Sequence, residues 1–433
     1  MSKYERKAQS QRKHGPLSIS AASKAPVVAP SIGRPGWKGP GYVKKQPPRQ
    51  APATLNSTST VQEQLLPVEL QQLVLDIFRD TFPESKDFEQ LKPTLQEVKD
   101  ALFQRDFETA FGSEKYLQGY AVRWSPSRTL GYANLLAWIW AEKAKNEELM
   151  KRLIRHTVVA PTVESRTEHT LRVVCFGGGA AELMAFASLL RYLCSDVADK
   201  SSPADFKEVP REPLSSLSIS DFSSTHMSAL VDLHLVDAAD WSSVVSKLYS
   251  GLTTPPVLSK YASATARTSN AAFLPPQNIK SSFTRADVLE ASTEYLRSMI
   301  GPSPTLITLL FTLNELYSTS ISKTTAFLLK LTMMVPRDTL LLVVDSPGSY
   351  SETPLGNAKE GQTEGEKKKY PMQWLMDHVL LEKHVKKVEG VEVTPKWEKL
   401  VDEESRWYRL DEGLKYPVSL ENMRFQVHLF KRL

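Results

Sequence analysis

The chain has 433 residues and is 41% hydrophobic, enough for one large core or two modest ones. Its longest apolar runs, such as 306–313, are far shorter than the roughly 20 residues that span a bilayer, and the polar start MSKYERKAQSQRKH lacks a secretory core, so neither a bilayer span nor secretion is expected. The net charge of +5 hides an imbalance: residues 1–58 carry eleven Lys and Arg against one acid, which leaves −5 on the remainder.

Residues 1–58 are also rich in Pro, Gly, Ser and Gln, a composition that predicts a disordered cationic tail. Such an arm suits low-specificity contact with polyphosphate and nuclear import, or it serves solubility alone. A helical region follows over 59–164. Leu65, Leu70, Leu73, Leu75, Ile77 and Phe78 mark a first amphipathic segment, and Leu91, Leu95, Val98, Leu102 and Phe103 mark a second. A third runs from Tyr132 to Ile154. Between them, Tyr120-Ala-Val-Arg-Trp-Ser-Pro-Ser-Arg128 concentrates aromatic, hydroxyl and guanidinium groups. Trp124 suits stacking on an extruded base and Arg123 and Arg128 suit phosphate; the bland alternative is a core indole and arginines paired with helix acids.

From about 165 onward strand and helix alternate, which predicts an α/β domain over 165–433 with a mostly parallel sheet covered on both faces. Strands are predicted at 171–176, 231–236, 306–312, 339–344 and 424–430. Helices are predicted at 180–195, 241–250, 286–299, 321–334, 371–384 and 397–403. Three inserts interrupt the series, at 198–224, 253–282 and 352–369, the last a charged low-complexity loop. The only cysteines, Cys175 and Cys194, fall in a predicted strand and the helix after it, which suggests a reduced compartment without disulfides.

The most informative stretch is LRVVCFGGGAAELMAFASLL at 171–190. An apolar strand is broken by Gly177, Gly178 and Gly179, and helical spacing resumes at Leu183, Ala187 and Leu190. Strand, glycine turn, helix brings backbone amides against a nucleotide-like ligand, with glycine needed so that no side chain holds the ligand off. The turn alone suits several adenosine cofactors or close packing. The second strand adds Asp237, an acid placed to accept from ribose hydroxyls, or else to cap the helix beginning near Ser242. The closing strand Met423-Arg-Phe-Gln-Val-His-Leu-Phe430 favours the S-adenosylmethionine version of this fold over a nicotinamide one.

Four motifs carry a specific resemblance: Tyr120-Ala-Val-Arg-Trp-Ser-Pro-Ser-Arg-Thr-Leu-Gly-Tyr132, Phe176-Gly-Gly-Gly-Ala-Ala-Glu-Leu-Met184, Phe311-Thr-Leu-Asn-Glu-Leu-Tyr317 and Val344-Asp-Ser-Pro-Gly-Ser-Tyr350. Over roughly 65–433 the chain resembles fungal large-subunit (25S) ribosomal RNA uridine-N3 methyltransferases. The resemblance implies a Rossmann-like class I methyltransferase fold: a mostly parallel seven-stranded sheet with an antiparallel last strand, preceded by a helical region. It also implies S-adenosylmethionine as cofactor, large-subunit ribosomal RNA or a pre-ribosome as partner, and a nuclear, nucleolar or cytoplasmic location.

Methylation at N3 requires the uracil imide to lose its proton and the anion to attack the sulfonium methyl in line. The electrophile is the cofactor itself, so no metal is expected; His378 and His384, six apart, are off-face for chelation. Carbon-5 methylation uses a cysteine nucleophile, and neither cysteine lies where one is needed. Asn314 is expected to orient base or cofactor, Glu315 to assist deprotonation, and Asp345 to bond the uracil or take its proton. The alternatives are a helix-starting acid at Glu315 and a strand-ending turn at Asp345. Cofactor contacts are expected from Gly177, Gly178, Gly179, Glu182, Asp237 and Thr312, with Asp287 accepting from the adenine amine or merely opening a helix. Two other functions share these features: a catalytically inactive methyltransferase-like protein that binds pre-ribosomal RNA, and a nicotinamide oxidoreductase.

Overall fold

The computed structural model describes residues 60–61, 64–143, 154–159, 166–200, 227–348, 350–353, 368–381 and 395–433. The predicted tail, most of the 198–224 and 352–369 inserts and residues 144–153 of the Tyr132–Ile154 segment therefore lie outside the described residues, while Ile154 itself begins a strand, Ile154–Val159, where the sequence predicts the helical region to continue.

In chain order the strands are β1 (Thr60–Val61), β2 (Ile154–Val159), β3 (Arg166–Phe176), β4 (Met227–Asp237), β5 (Ile279–Arg285), β6 (Leu306–Leu310), β7 (Leu340–Asp345), β8 (Tyr350–Thr353), β9 (Lys368–Pro371), β10 (Trp397–Tyr408) and β11 (Met423–Arg432). The longer helices are α1 (Val68–Thr81), α2 (Phe88–Phe103), α3 (Glu114–Arg123), α4 (Ser125–Lys143), α5 (Ala180–Lys200), α6 (Ser242–Thr253), α7 (Thr293–Ile300), α8 (Leu313–Thr319), α9 (Ile321–Met334) and α10 (Met372–Leu380). Serines set three of these helix starts: Ser113 accepts from Tyr116 N at 3.2 Å, Ser292 from Tyr295 N at 3.1 Å and Ser320 from Lys323 N at 3.3 Å.

Across the main sheet the order is β5-β4-β3-β6-β7-β11-β10. The first five of these strands pair parallel, and β11 runs antiparallel between β7 and β10. That is the mostly parallel seven-stranded sheet with an antiparallel last strand. Two short strands extend it: β1 pairs with β10, and β2 pairs antiparallel with β3. Interior strands β6 (LITLL) and β7 (LLLVVD) are buried at every position, as expected for strands covered on both faces.

The N-terminal helices share one apolar core with one face of the sheet. Val74, Phe78, Ala121 and Leu135 belong to the same buried cluster as Val173, Leu183, Leu235 and Leu342. Polar groups buried at the seam are satisfied across it. Gln71 donates to Leu66 O at 2.8 Å and accepts from the Tyr408 hydroxyl at 3.0 Å. Asn134 Oδ1 accepts from Leu65 N at 2.7 Å, and Tyr416 donates to Val122 O at 3.1 Å.

Three sequence-based expectations are corrected. The predicted helix 397–403 is strand β10: its buried positions Trp397, Val401, Arg406 and Tyr408 face the core, but register shifts at 399/401 and 403/406 break the period of two. The predicted helix 286–299 starts only at Thr293. The insert 253–282 runs four residues too far, because β5 begins at Ile279; as an edge strand it is half polar, with Ile279 its one fully buried residue.

Candidate active site

At the end of β3 the chain turns at Gly177, whose φ of 73° costs a residue with a side chain about 1–2 kcal/mol. A Cβ on Gly177 would lie 2.9 Å from Thr312 Cβ and closer still to the Thr312 hydroxyl. On Gly178 it would meet Cys175 Cβ at 2.5 Å, and on Gly179 the Trp241 ring at 2.8 to 3.2 Å. Glycine is required at these positions by the protein's own packing. The turn amides are also committed internally. Gly177 N and Gly178 N donate to Val236 O at 2.8 and 3.3 Å, and Gly179 N donates to Glu182 Oε2 at 2.8 Å. These bonds form a seam that ties β3 to β4 and aims the first turn of α5.

Above that seam lies a cleft of about 530 Å3, measured out to where it opens to solvent. One wall is Gly177, Gly179 and Glu182; a second is Asp237 and Trp241 after β4; a third is Leu310, Phe311, Thr312 and Glu315 after β6. The fourth comes from the N-terminal helices through Phe111, Tyr120, Ser125 and Arg128. The cleft sits at the carboxyl edge of the sheet, where the β3 and β4 connections diverge from those of β6 and β7, the position at which open α/β sheets bind ligands.

Four carboxyls converge on this edge, Glu182 and Asp345 buried and Asp237 and Glu315 half-buried, and withdrawal from water pushes each of them upward. Glu315 is raised to about 8 by burial, with Arg128 pulling the other way and Asp345 and Asp237 adding to the rise. Asp237 reaches about 7, again through burial, against the Ala239 N–H that donates to its Oδ1 at 2.7 Å. Burial also raises Asp345, to about 6, and Glu182. Arg128 is the cation among them. Its guanidinium carbon stands 4.9 Å from the centroid of the Phe311 ring and 5.5 Å from that of Tyr120. Clustered acids with raised pKa values mark a functional cleft on physical grounds.

The structure brings together most of the sequence-predicted residues. Gly177, Gly179, Glu182, Asp237, Thr312, Glu315 and Arg128 line the cleft. Asp345 stands behind its wall, 2% exposed, with both oxygens occupied: Asn314 N donates to one at 2.9 Å and Ser346 N to the other at 2.8 Å. It thereby fixes the start of α8. Asn314 Oδ1 is buried with no partner. Asp287 is exposed in the loop after β5, where its Oδ1 accepts from Leu289 N at 2.9 Å. Arg123 is turned away from the cleft, paired with Glu421 and donating to Ser419 O at 2.9 Å, while Trp124 packs beside Tyr120 with ring centroids 5.2 Å apart.

Phe311, Tyr120 and Trp241 escaped sequence reasoning as site residues. Phe311 closes β6 at φ 58°, a left-handed conformation rarely held by a residue with a side chain, and its N–H donates to Val344 O at 2.7 Å. Nothing in its local sequence signals that. Tyr120 had a signal: a spacing of four from Tyr120 through Trp124 to Arg128 puts all three on one side of consecutive helical turns. Among the described residues no group of three His, Cys, Asp or Glu is placed to hold a metal, and no helix is long and apolar enough to cross a membrane.

The strand order, the antiparallel last strand and the acid-lined cleft after β3, β4 and β6 define a Rossmann-like, class I methyltransferase. The family model described as "Putative SAM-dependent methyltransferase" matches residues 78–431, and the chain belongs to this family of S-adenosylmethionine-dependent methyltransferases. It is 32% identical over 371 residues to the 25S rRNA (uridine(2843)-N(3))-methyltransferase of Saccharomyces cerevisiae, covering 83% of this chain and 85% of the relative. Among solved structures it is similar to a SAM-dependent methyltransferase from Methanosarcina mazei, at 8% identity and a TM-score of 0.27, covering 60% of this chain and 92% of the other. It is also similar to an O-methyltransferase family protein from Burkholderia thailandensis, at 9% identity and a TM-score of 0.30, covering 78% and 71%.

Proposed function

We propose that this chain transfers a methyl group from S-adenosylmethionine to N3 of a uridine in large-subunit ribosomal RNA. The observation that carries the proposal is the charge pattern of the cleft, three acids around one guanidinium, in a chain related to an enzyme named for that reaction. The donor set fits the cofactor: carboxylates for a sulfonium and an ammonium, and Asp237 at the end of β4 for the ribose hydroxyls. When bound, S-adenosylmethionine supplies an electrophilic methyl group on a positively charged sulfur.

The chain's own residues do the rest. Glu315, held near 8, exchanges a proton close to neutrality. A positive charge beside it favours the carboxylate, and that carboxylate takes the N3 proton of the uracil. Asp345 is a positioning residue that pins the first turn of α8 and so places Asn314 and Glu315. The strained backbone at Phe311 turns its ring beneath the Arg128 guanidinium. Nitrogen is favoured over carbon-5 as the target because no thiolate is at hand. Cys175 is buried in β3 with its thiol pushed well up by that burial, and Cys194 does not line the cleft.

The predicted basic tail is assigned to RNA phosphate, and the protein to the nucleolus, where that substrate is assembled. The direct test uses the purified full chain, methyl-labelled S-adenosylmethionine and large-subunit ribosomal RNA, followed by nucleoside analysis. Labelled 3-methyluridine is the expected product. Label on carbon-5, on ribose or on another base contradicts the proposal.

A further inference from the structure

Arg128 is the one cation lining a cleft whose other charged groups, Glu182, Asp237 and Glu315, are acids. Among the described residues no acceptor hydrogen-bonds its guanidinium, and no carboxylate forms an ion pair with it. Arg128 is half-buried, and a guanidinium partly withdrawn from water with no protein acceptor keeps its donors available to a ligand that enters the cleft. The Tyr120 and Phe311 rings flank it, with centroids 5.5 and 4.9 Å from the guanidinium carbon, contacts that do not use its N–H donors.

S-adenosylmethionine carries two positive groups and a single negative one, the carboxylate of its methionyl arm. Arg128 is the positively charged side chain that lines the cleft, and so the group there that attracts that carboxylate. A planar guanidinium matches a carboxylate through two parallel N–H···O bonds. We infer that Arg128 receives the methionyl carboxylate of the cofactor and fixes the position of the arm. It is therefore a cofactor-binding residue and not a phosphate contact for RNA. The same inference gives the N-terminal helices a chemical task, since α4 supplies the anion receptor that the sheet edge lacks.

The inference rests on cofactor binding by this cleft, and not on which nucleotide is methylated. Failure to find 3-methyluridine leaves it standing. The test is calorimetric titration of the full chain with S-adenosylmethionine and with its decarboxylated form, which differ only in the carboxylate. The wild-type protein is expected to bind S-adenosylmethionine roughly tenfold to a hundredfold more tightly than the decarboxylated compound. Arg128→Gln is expected to bring the two affinities to within a few-fold of each other, and Arg128→Lys to retain part of the preference, because an ammonium lacks the paired donors. The ratio of the two affinities is the readout, since a merely structural role scales both equally. A wild-type protein without the preference overturns the inference, as does an unchanged ratio in whichever variant folds.

Discussion

A cleft that stores protons on its carboxyls must release them when a positive ligand arrives. At pH 7, Glu315 at about 8 is protonated in about nine molecules of ten, Asp237 at about 7 in about half, and Asp345 at about 6 in about one of ten. Together they hold about 1.5 protons, a count that belongs to the coupled group and not to single residues. A unit charge roughly 6 Å from a carboxylate, at an effective dielectric constant of about 20, is worth about 3 kcal/mol or close to two pK units. That is enough to discharge most of the stored protons. Titrating the protein at pH 7 in buffers of different ionisation enthalpy counts them. Binding of S-adenosylmethionine is expected to release about one proton or more. S-adenosylhomocysteine, whose sulfur is neutral, is expected to release distinctly fewer, and Glu315→Gln to remove most of the difference. Equal proton counts for the two ligands would refute the assignment of the acids to the sulfonium.

Three further outcomes follow from the same geometry. Because Glu315, Asp237 and Asp345 sit above their unfolded values near 4, the folded protein binds more protons than the unfolded chain. Their contribution is whole below about pH 4 and is lost as pH rises through 6 to 8, so denaturant unfolding is expected to show falling stability over that window and a shallower fall in Glu315→Gln. Gly177→Ala combines a positive φ with collision against Thr312 and is expected to cost roughly 2–5 kcal/mol, whereas Gly348→Ala, at φ 70° but facing open space, is expected to cost only about 1–2 kcal/mol. Equal losses in the two would show that packing against Thr312 is unimportant. Deleting residues 1–58 is expected to weaken RNA binding and flatten its salt dependence while leaving cofactor affinity unchanged; identical salt slopes remove the tail from RNA contact.

The β3–turn–α5 unit was legible because three signals coincide there: a buried apolar strand, three consecutive glycines and a return to helical spacing. β6, β7 and β11 were legible for a similar reason, being apolar at nearly every position or strictly alternating. β10 was not, because two register shifts break its alternation and its acids imitate the polar face of a helix. β5 was not, because an edge strand with one side exposed carries too few apolar residues to stand out. At the site, Asp237 and Glu315 could be placed from their position just after strands. The relocation of Arg128 could not: whether an arginine beside a tryptophan faces solvent or a cleft depends on how α4 docks on the sheet, and that is a tertiary fact. Asp345 shows the same limit, since its occupation by two backbone amides depends on α8 folding back over β7.

The central claim is that this cleft methylates uracil at N3, a position whose modification blocks base pairing and arrests reverse transcription. The most direct measurement is a map of those arrests along large-subunit ribosomal RNA from cells lacking the gene, restored with either the wild-type chain or Asp237→Ala. Loss of one 3-methyluridine arrest in the deletion, its return with the wild type and its absence with Asp237→Ala is the outcome expected. An unaltered map in the deleted cells contradicts the account.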